Sequence, residues 1–299
     1  MTPGSAFTGL GAFPLTPFAG DAVDEGAFCG LVERLAASGV DSITALGSTG
    51  SGAYLTAEER ARVARLAVRH AGDVPVLVGV GALRASRALA NARAAEDAGA
   101  AGVLLAPMTY QPLGDDEVFE LFRLVTEGVD LPVVVYDNPG TTHFAFTTAL
   151  YGRIAGLPGI ASIKIPGGSG HPARVREIRA AIPEHVTIGI SGDAFGAAGL
   201  NAGCDAWYSA VAGTLPDPAL RVTRAALAGR AEEAVAESER LAPLWGLFAE
   251  HGGSVRVIAA IAEHLGLVPR DCLPLPVRGL DEAQRARVVR VVADLGLDR

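Results

Sequence analysis

The chain has 299 residues, of which 49% are hydrophobic and 19% charged, and carries a formal net charge of -8. Its length and apolar content support one large core, while the acidic balance argues against a nucleic-acid surface, which needs a basic stripe. Gly, Pro or a charge interrupts every apolar stretch before the roughly 18 to 20 residues a membrane span requires.

Short β-branched runs alternate with longer amphipathic stretches, the pattern of repeated βα units. The first predicted strand covers residues 9–18 and is followed by helical periodicity over 24–38; strand 41–47 is followed by helix 56–71, strand 74–81 by helix 84–98, and strand 102–108 by helix 114–127. The second half continues with strands 132–139, 159–166, 186–193 and 205–213, followed by helices 147–156, 172–182, 194–202 and 216–229. Glycines end helices in "AASGVDS" and "EDAGAAGV", where a left-handed residue turns the chain back. Eight strands, several apolar almost throughout and each followed by a helix, predict an α/β chain folded as a (β/α)8 TIM barrel over residues 1–229. Helical patterns near 231–250, 254–265 and 281–295 predict a C-terminal three-helix appendage over residues 230–299. A dinucleotide fold would need Gly-x-Gly-x-x-Gly after a strand, but "GVGALR" places Arg84 at the third glycine.

Cys29, Cys204 and Cys272 are odd in number and widely spaced, so reduced thiols in a cytoplasmic protein are expected. The first thirty residues lack a basic start followed by an apolar signal core. The six histidines show no metal-ligand spacing, and no metal site is expected.

Of the 25 basic residues one alone is a lysine, Lys164, in "ASIKIP" near the end of the sixth predicted strand. Strand alternation puts Ser162 and Lys164 on one face and Ala161 and Ile163 on the other. At the C-terminal mouth of a barrel, with no carboxylate close in sequence, such a lysine is desolvated and its pKa falls, leaving free amine to attack a carbonyl. The bland alternative is a lysine that snorkels to solvent. "LGSTGSG" after strand two combines Gly47, Gly50 and Gly52 with the hydroxyls of Ser48 and Thr49, a cradle for a small carboxylate or an ordinary turn. Tyr136 ends strand five and can exchange protons beside Lys164, or simply pack the barrel top. Tyr110 and Tyr208 also stand at predicted strand ends.

The Gly-Ser-Thr-Gly loop, Tyr-x-x-Pro after strand five, lysine in strand six and Ser-Gly-Asp after strand seven together resemble the dihydrodipicolinate synthase / N-acetylneuraminate lyase family over the whole chain. The resemblance implies a class I aldolase or lyase on a (β/α)8 barrel, in which pyruvate or a longer 2-keto acid forms an imine with Lys164. Tyr136 becomes the proton-transfer residue. Ser48, Thr49 and Gly50 become the carboxylate site, with Thr49 counted among the catalytic groups. Tyr208 falls near the position of an apolar family residue that lines the pyruvate pocket, Gly192 and Asp193 lie where the second substrate is approached, and Thr109 and Tyr110 fall where a relay aromatic follows strand four. Thr141 stands where the synthase branch carries an arginine that grips the aldehyde's carboxylate. A hydroxy- or sugar-derived 2-keto acid is therefore the expected substrate. The alternatives are 4-hydroxy-tetrahydrodipicolinate synthase proper, a sugar-acid dehydratase using the same imine, and a non-catalytic keto-acid binder. The resemblance further implies no cofactor beyond the covalent Schiff base, no nucleic-acid or membrane partner, and a homotetramer built as a dimer of dimers.

Overall fold

Eight short parallel strands, β1 (Gly9–Ala12), β2 (Ser42–Ala45), β3 (Val76–Gly79), β4 (Gly102–Leu105), β5 (Val133–Tyr136), β6 (Ile160–Ile165), β7 (Thr187–Ile190) and β8 (Ala206–Ser209), close into a barrel. Each pairs with its neighbours in sequence, and β8 returns to β1 through Gly9 opposite Ala206 and Ala12 opposite Ser209. The structure is a computed structural model describing residues 5–168 and 171–298; residues 1–4 and 299, at the ends of the two expected regions, and Ser169 and Gly170 after β6 lie outside the described residues.

The helices α1 (Glu25–Ala36), α2 (Ala57–His70), α3 (Ala85–Asp97), α4 (Asp115–Thr126), α5 (Thr148–Ala155), α6 (His171–Ala181), α7 (Gly196–Asn201) and α8 (Pro216–Leu227) follow the strands in turn. Their starts are written locally. The Asp24 carboxylate accepts from the Ala27 amide at the head of α1, and Thr56 and Glu59 form a reciprocal capping box on α2. Gly39 and Gly99 adopt φ of 89° and 81° just beyond α1 and α3, as the sequence pattern demands.

The strands are shorter than the apolar runs that announced them. In the first run Pro14 and Pro17 have no amide to donate, so the barrel ladder stops and Phe18–Ala19 instead pairs antiparallel with Ala22–Val23. Among the described residues the C-terminal region carries four helices rather than three: α9 (Ala231–Arg240), α10 (Ala242–Glu250), α11 (Val255–His264) and α12 (Glu282–Asp294). The expected segment 231–250 breaks at Leu241, because Pro243 cannot extend a preceding helix.

Two cores follow from the barrel geometry. The larger one lies between strands and helices and continues under the C-terminal helices. The smaller fills the barrel itself and includes Phe7, Phe13, Leu77, Leu104, Val134 and Tyr208. Tyr208 is admitted because its neighbours are glycines: a Cβ on Gly189 would lie 2.2 Å from its ring, and one on Gly11 3.0 Å. Among the described residues no helix is long and apolar enough to cross a membrane.

Candidate active site

Lys164 faces the barrel interior, as its strand parity predicts. Ser162, two residues earlier, accepts a hydrogen bond from the Tyr208 hydroxyl across the barrel at 2.9 Å, which fixes the inward face of β6. Lys164 is 5% exposed. Its Nζ lies 4.3 Å from the ring centre of Tyr136, its register partner on β5, and 5.8 Å from that of Phe13, the residue after β1. Burial pushes the ammonium pKa down to about 7, partly opposed by Asp193 and Asp137. These two carboxyls are distant in sequence yet flank the lysine strand, each just beyond a neighbouring strand, and burial pushes both up to about 6.

Neither carboxyl is loose. Asp193 accepts from Ser209 Oγ at 2.8 Å and from the Val211 amide at 3.1 Å, so it organises the turn after β8. Asp137, the residue after β5, accepts from the buried Tyr151 hydroxyl on α5. They act on Lys164 through space, as buried charges that favour its protonated form.

Tyr136 is held from two sides. Its hydroxyl donates to Ser48 Oγ at 3.1 Å and accepts from Asn138 Nδ2 at 3.0 Å. Asn138 was not singled out from the sequence, because a hydrogen bond two residues along an irregular turn leaves no periodic signature. The loop carrying Ser48 and Thr49 turns tightly, with Leu46 and Ser51 at positive φ. Hydrogen bonds from Ser51 N to Ser48 O and from Gly52 N to Gly47 O close it. Behind it, the buried Arg60 of α2 donates to the carbonyls of Gly52, Gly79 and Gly81. Without a carboxylate partner among the described residues, burial lowers the Arg60 pKa to about 10. Arginine in a helical run reads as surface charge, so this clamp too was invisible in the sequence.

These groups share one cavity of about 410 Å³ at the C-terminal ends of the strands. Lys164, Tyr136, Ser48, Thr49, Asp193 and Tyr208 line it, with Gly192 beside them. Thr141 borders a smaller adjoining hollow together with Ser48 and Tyr136. The remaining expected residues lie elsewhere. Gly50 packs against Leu46 and Pro14, where a Cβ would sit 3.0 Å from the Leu46 amide. Thr109 donates to the Thr142 carbonyl at 2.9 Å, and Tyr110 is 87% exposed on the surface. Conversely, Phe13, Phe195, Trp245 and Phe248 line the cavity, although the sequence marked them only as apolar. Among the described residues no group of three or more His, Cys, Asp or Glu is placed to hold a metal ion.

The arrangement can bind a small carboxylate beside an amine that is partly unprotonated near neutral pH, with a phenol poised to pass protons to Ser48. A family model described as the dihydrodipicolinate synthetase family matches residues 6–295. The chain is 32% identical over 294 residues to 4-hydroxy-tetrahydrodipicolinate synthase of Phenylobacterium zucineum (strain HLK1), covering 97% of this chain and 98% of that one. Among solved structures it is similar to dihydrodipicolinate synthase from Agrobacterium tumefaciens str. C58, with 42% identity, a TM-score of 0.94 and coverage of 98% and 99% of the two chains. It also resembles a prophage protein of the dihydrodipicolinic acid synthase family from E. coli K12, solved in complex with pyruvate, at 27% identity, a TM-score of 0.90 and coverage of 97% and 99%. With its barrel closed around Lys164 and residues 6–295 matched, this chain belongs to the dihydrodipicolinate synthetase family and is a lyase of that family.

Proposed function

We propose that the protein is a Schiff-base-forming class I aldolase that cleaves or forms the carbon-carbon bond of a hydroxy 2-keto acid, with pyruvate as the keto-acid product or donor. The observation that carries this reading is the buried Lys164 amine, with its pKa near 7, in one cavity with Tyr136, Ser48 and Thr49. The neutral amine attacks the keto carbon, water leaves, and a protonated imine forms. Tyr136 removes the proton of the 4-hydroxyl. The bond between carbons 3 and 4 then breaks and its electron pair enters the enamine. Protonation at carbon 3 and hydrolysis release pyruvate and restore the amine. Thr49 and Ser48 hold the substrate carboxylate, and positioning supplies much of the acceleration.

The covalent Schiff base is the only prosthetic chemistry this scheme uses. Thr141, a neutral side chain beside Ser48 and Tyr136, favours the hydroxy 2-keto acid over a substrate with a second carboxylate to be gripped there. Assembly as a cytoplasmic homotetramer completes the reading. It is supported by the exposed Leu83, which shares a surface hollow with Met108 and leaves apolar area for another copy to cover.

Borohydride reduction in the presence of pyruvate tests the proposal directly. A permanent mass increase on the peptide containing Lys164 is expected, and no adduct with pyruvate or any longer 2-keto acid ends it. Product analysis then separates aldol cleavage, which releases pyruvate, from dehydration, which loses only water.

A further inference from the structure

The cavity has two unlike walls. Toward the barrel are the amine, the Tyr136 phenol and the hydroxyls of Ser48 and Thr49. The opposite wall comes from the segment after β7 and from the C-terminal helices: Phe195, Trp245, Phe248, Ala249, Gly252 and Gly253, with Ser254 at the rim. Phe195 lies over glycines, since a Cβ on Gly167 would come within 2.2 Å of its ring and one on Gly192 within 3.3 Å. Trp245 and Phe248 pack with ring centres 5.6 Å apart at 51°. The Trp245 indole N–H donates to the Ser238 carbonyl at 2.9 Å, so what the side chain offers the cavity is apolar ring.

Neither an arginine nor a histidine lines this cavity among the described residues, and its one cation is Lys164 itself. A carboxylate or phosphate on the far end of a substrate would therefore be desolvated without a partner. The first turn of α11 begins at the rim, but a helix end alone holds an exposed anion weakly. A polyol tail fares little better. The Asp193 carboxylate is taken up by Ser209 and the Val211 amide, the Asn138 amide group donates to Tyr136, the hydroxyls of Tyr208 and Ser191 are committed to Ser162 and to the Ile165 carbonyl, the Gly253 amide to the Phe248 carbonyl, and Ser254 supplies a single hydroxyl on the far wall.

We infer that the second substrate is an uncharged aldehyde with a planar or branched apolar tail, held between Phe195 and the Trp245–Phe248 pair. The hydroxy 2-keto acid is then the aldol of pyruvate with that aldehyde, not a sugar acid. This rests on the imine chemistry proposed above. In the condensing direction the pyruvate enamine attacks the aldehyde carbon, one carbon-carbon bond forms, Tyr136 delivers a proton to the new alkoxide, and water hydrolyses the imine.

The experiment compares benzaldehyde, D-glyceraldehyde and succinic semialdehyde as acceptors with pyruvate, alongside borohydride trapping of pyruvate alone. Benzaldehyde is expected to exceed the other two in kcat/KM by about tenfold or more, because a site lined by rings leaves polar tails unpaired. Trp245→Ala should lower the benzaldehyde value by a larger factor than it lowers the trapping rate with pyruvate. Phe195→Arg, at a partly exposed position, should shift preference toward succinic semialdehyde and keeps the test open should the Trp245 variant fold poorly. A protein that traps pyruvate yet favours glyceraldehyde or succinic semialdehyde, or leaves benzaldehyde unreacted, overturns the inference while the imine reading stands. Absence of any trapped adduct removes both.

Discussion

Lys164 Nζ lies 4.3 Å from the ring centre of Tyr136, its register partner on the adjacent strand, and the hydroxyl of that same ring donates to Ser48. The ring face favours an ammonium, as do Asp193 and Asp137, whereas burial disfavours it. Burial is the larger effect, and the amine is left near pKa 7 with the phenol beside it.

The first prediction concerns pH. Below about pH 7 the fraction of neutral amine falls tenfold per pH unit. The rate of borohydride trapping with pyruvate should follow it and level off above neutrality. A pH-independent trapping rate between 5 and 8 contradicts this.

Stability should carry the same signature. The folded chain holds fewer protons at Lys164 than the unfolded chain between about pH 7 and 10.5, so this site's contribution to stability rises with pH across that window. The slope approaches about 1.4 kcal/mol per pH unit. Asp137 and Asp193, raised from 3.8 to about 6, work in the opposite sense and lose stability as pH rises from about 4 to 6. Urea unfolding of Lys164→Met should lack the upper rise and keep the lower fall.

Tyr136→Phe should keep the fold and lower kcat by about a hundred- to ten-thousand-fold, the usual worth of a general acid-base group. Ser48→Ala, which removes the acceptor and not the phenol, should cost less. Steady-state rates for both variants, with circular dichroism as the control for folding, decide the order.

Thr49→Val should weaken half-saturation by pyruvate about ten- to a hundred-fold, because a hydrogen bond to a charged carboxylate contributes about 1.5–3 kcal/mol. The maximal rate should change less than the half-saturation constant. A variant that loses rate alone would place Thr49 away from the carboxylate.

Gly189→Ala would put a Cβ 2.2 Å from the Tyr208 ring inside the barrel, and should destabilise by about 1–3 kcal/mol. In a Tyr208→Leu background the same change should be far milder. The coupling measured by a double-mutant cycle tests whether this tyrosine is what keeps position 189 a glycine.

The sequence by itself determined the barrel, the order of its elements and that Ser162 and Lys164 share one face of β6, because the alternation of apolar strand and amphipathic helix is local and repeats eight times. It also singled out Lys164 and Tyr136, since a lone lysine in an apolar strand is legible as composition and parity. It did not reveal that Pro243 splits the first C-terminal helix, which its apolar periodicity masked. Tertiary structure alone decided which charges face the lysine, because Asp137 and Asp193 reach it only through strand adjacency. Closure likewise set Arg60 behind the Ser48–Thr49 loop and stood Trp245 and Phe248 in one cavity with an amine some eighty residues earlier in the chain. A side chain's period tells which way it faces; what it meets there depends on how the chain returns.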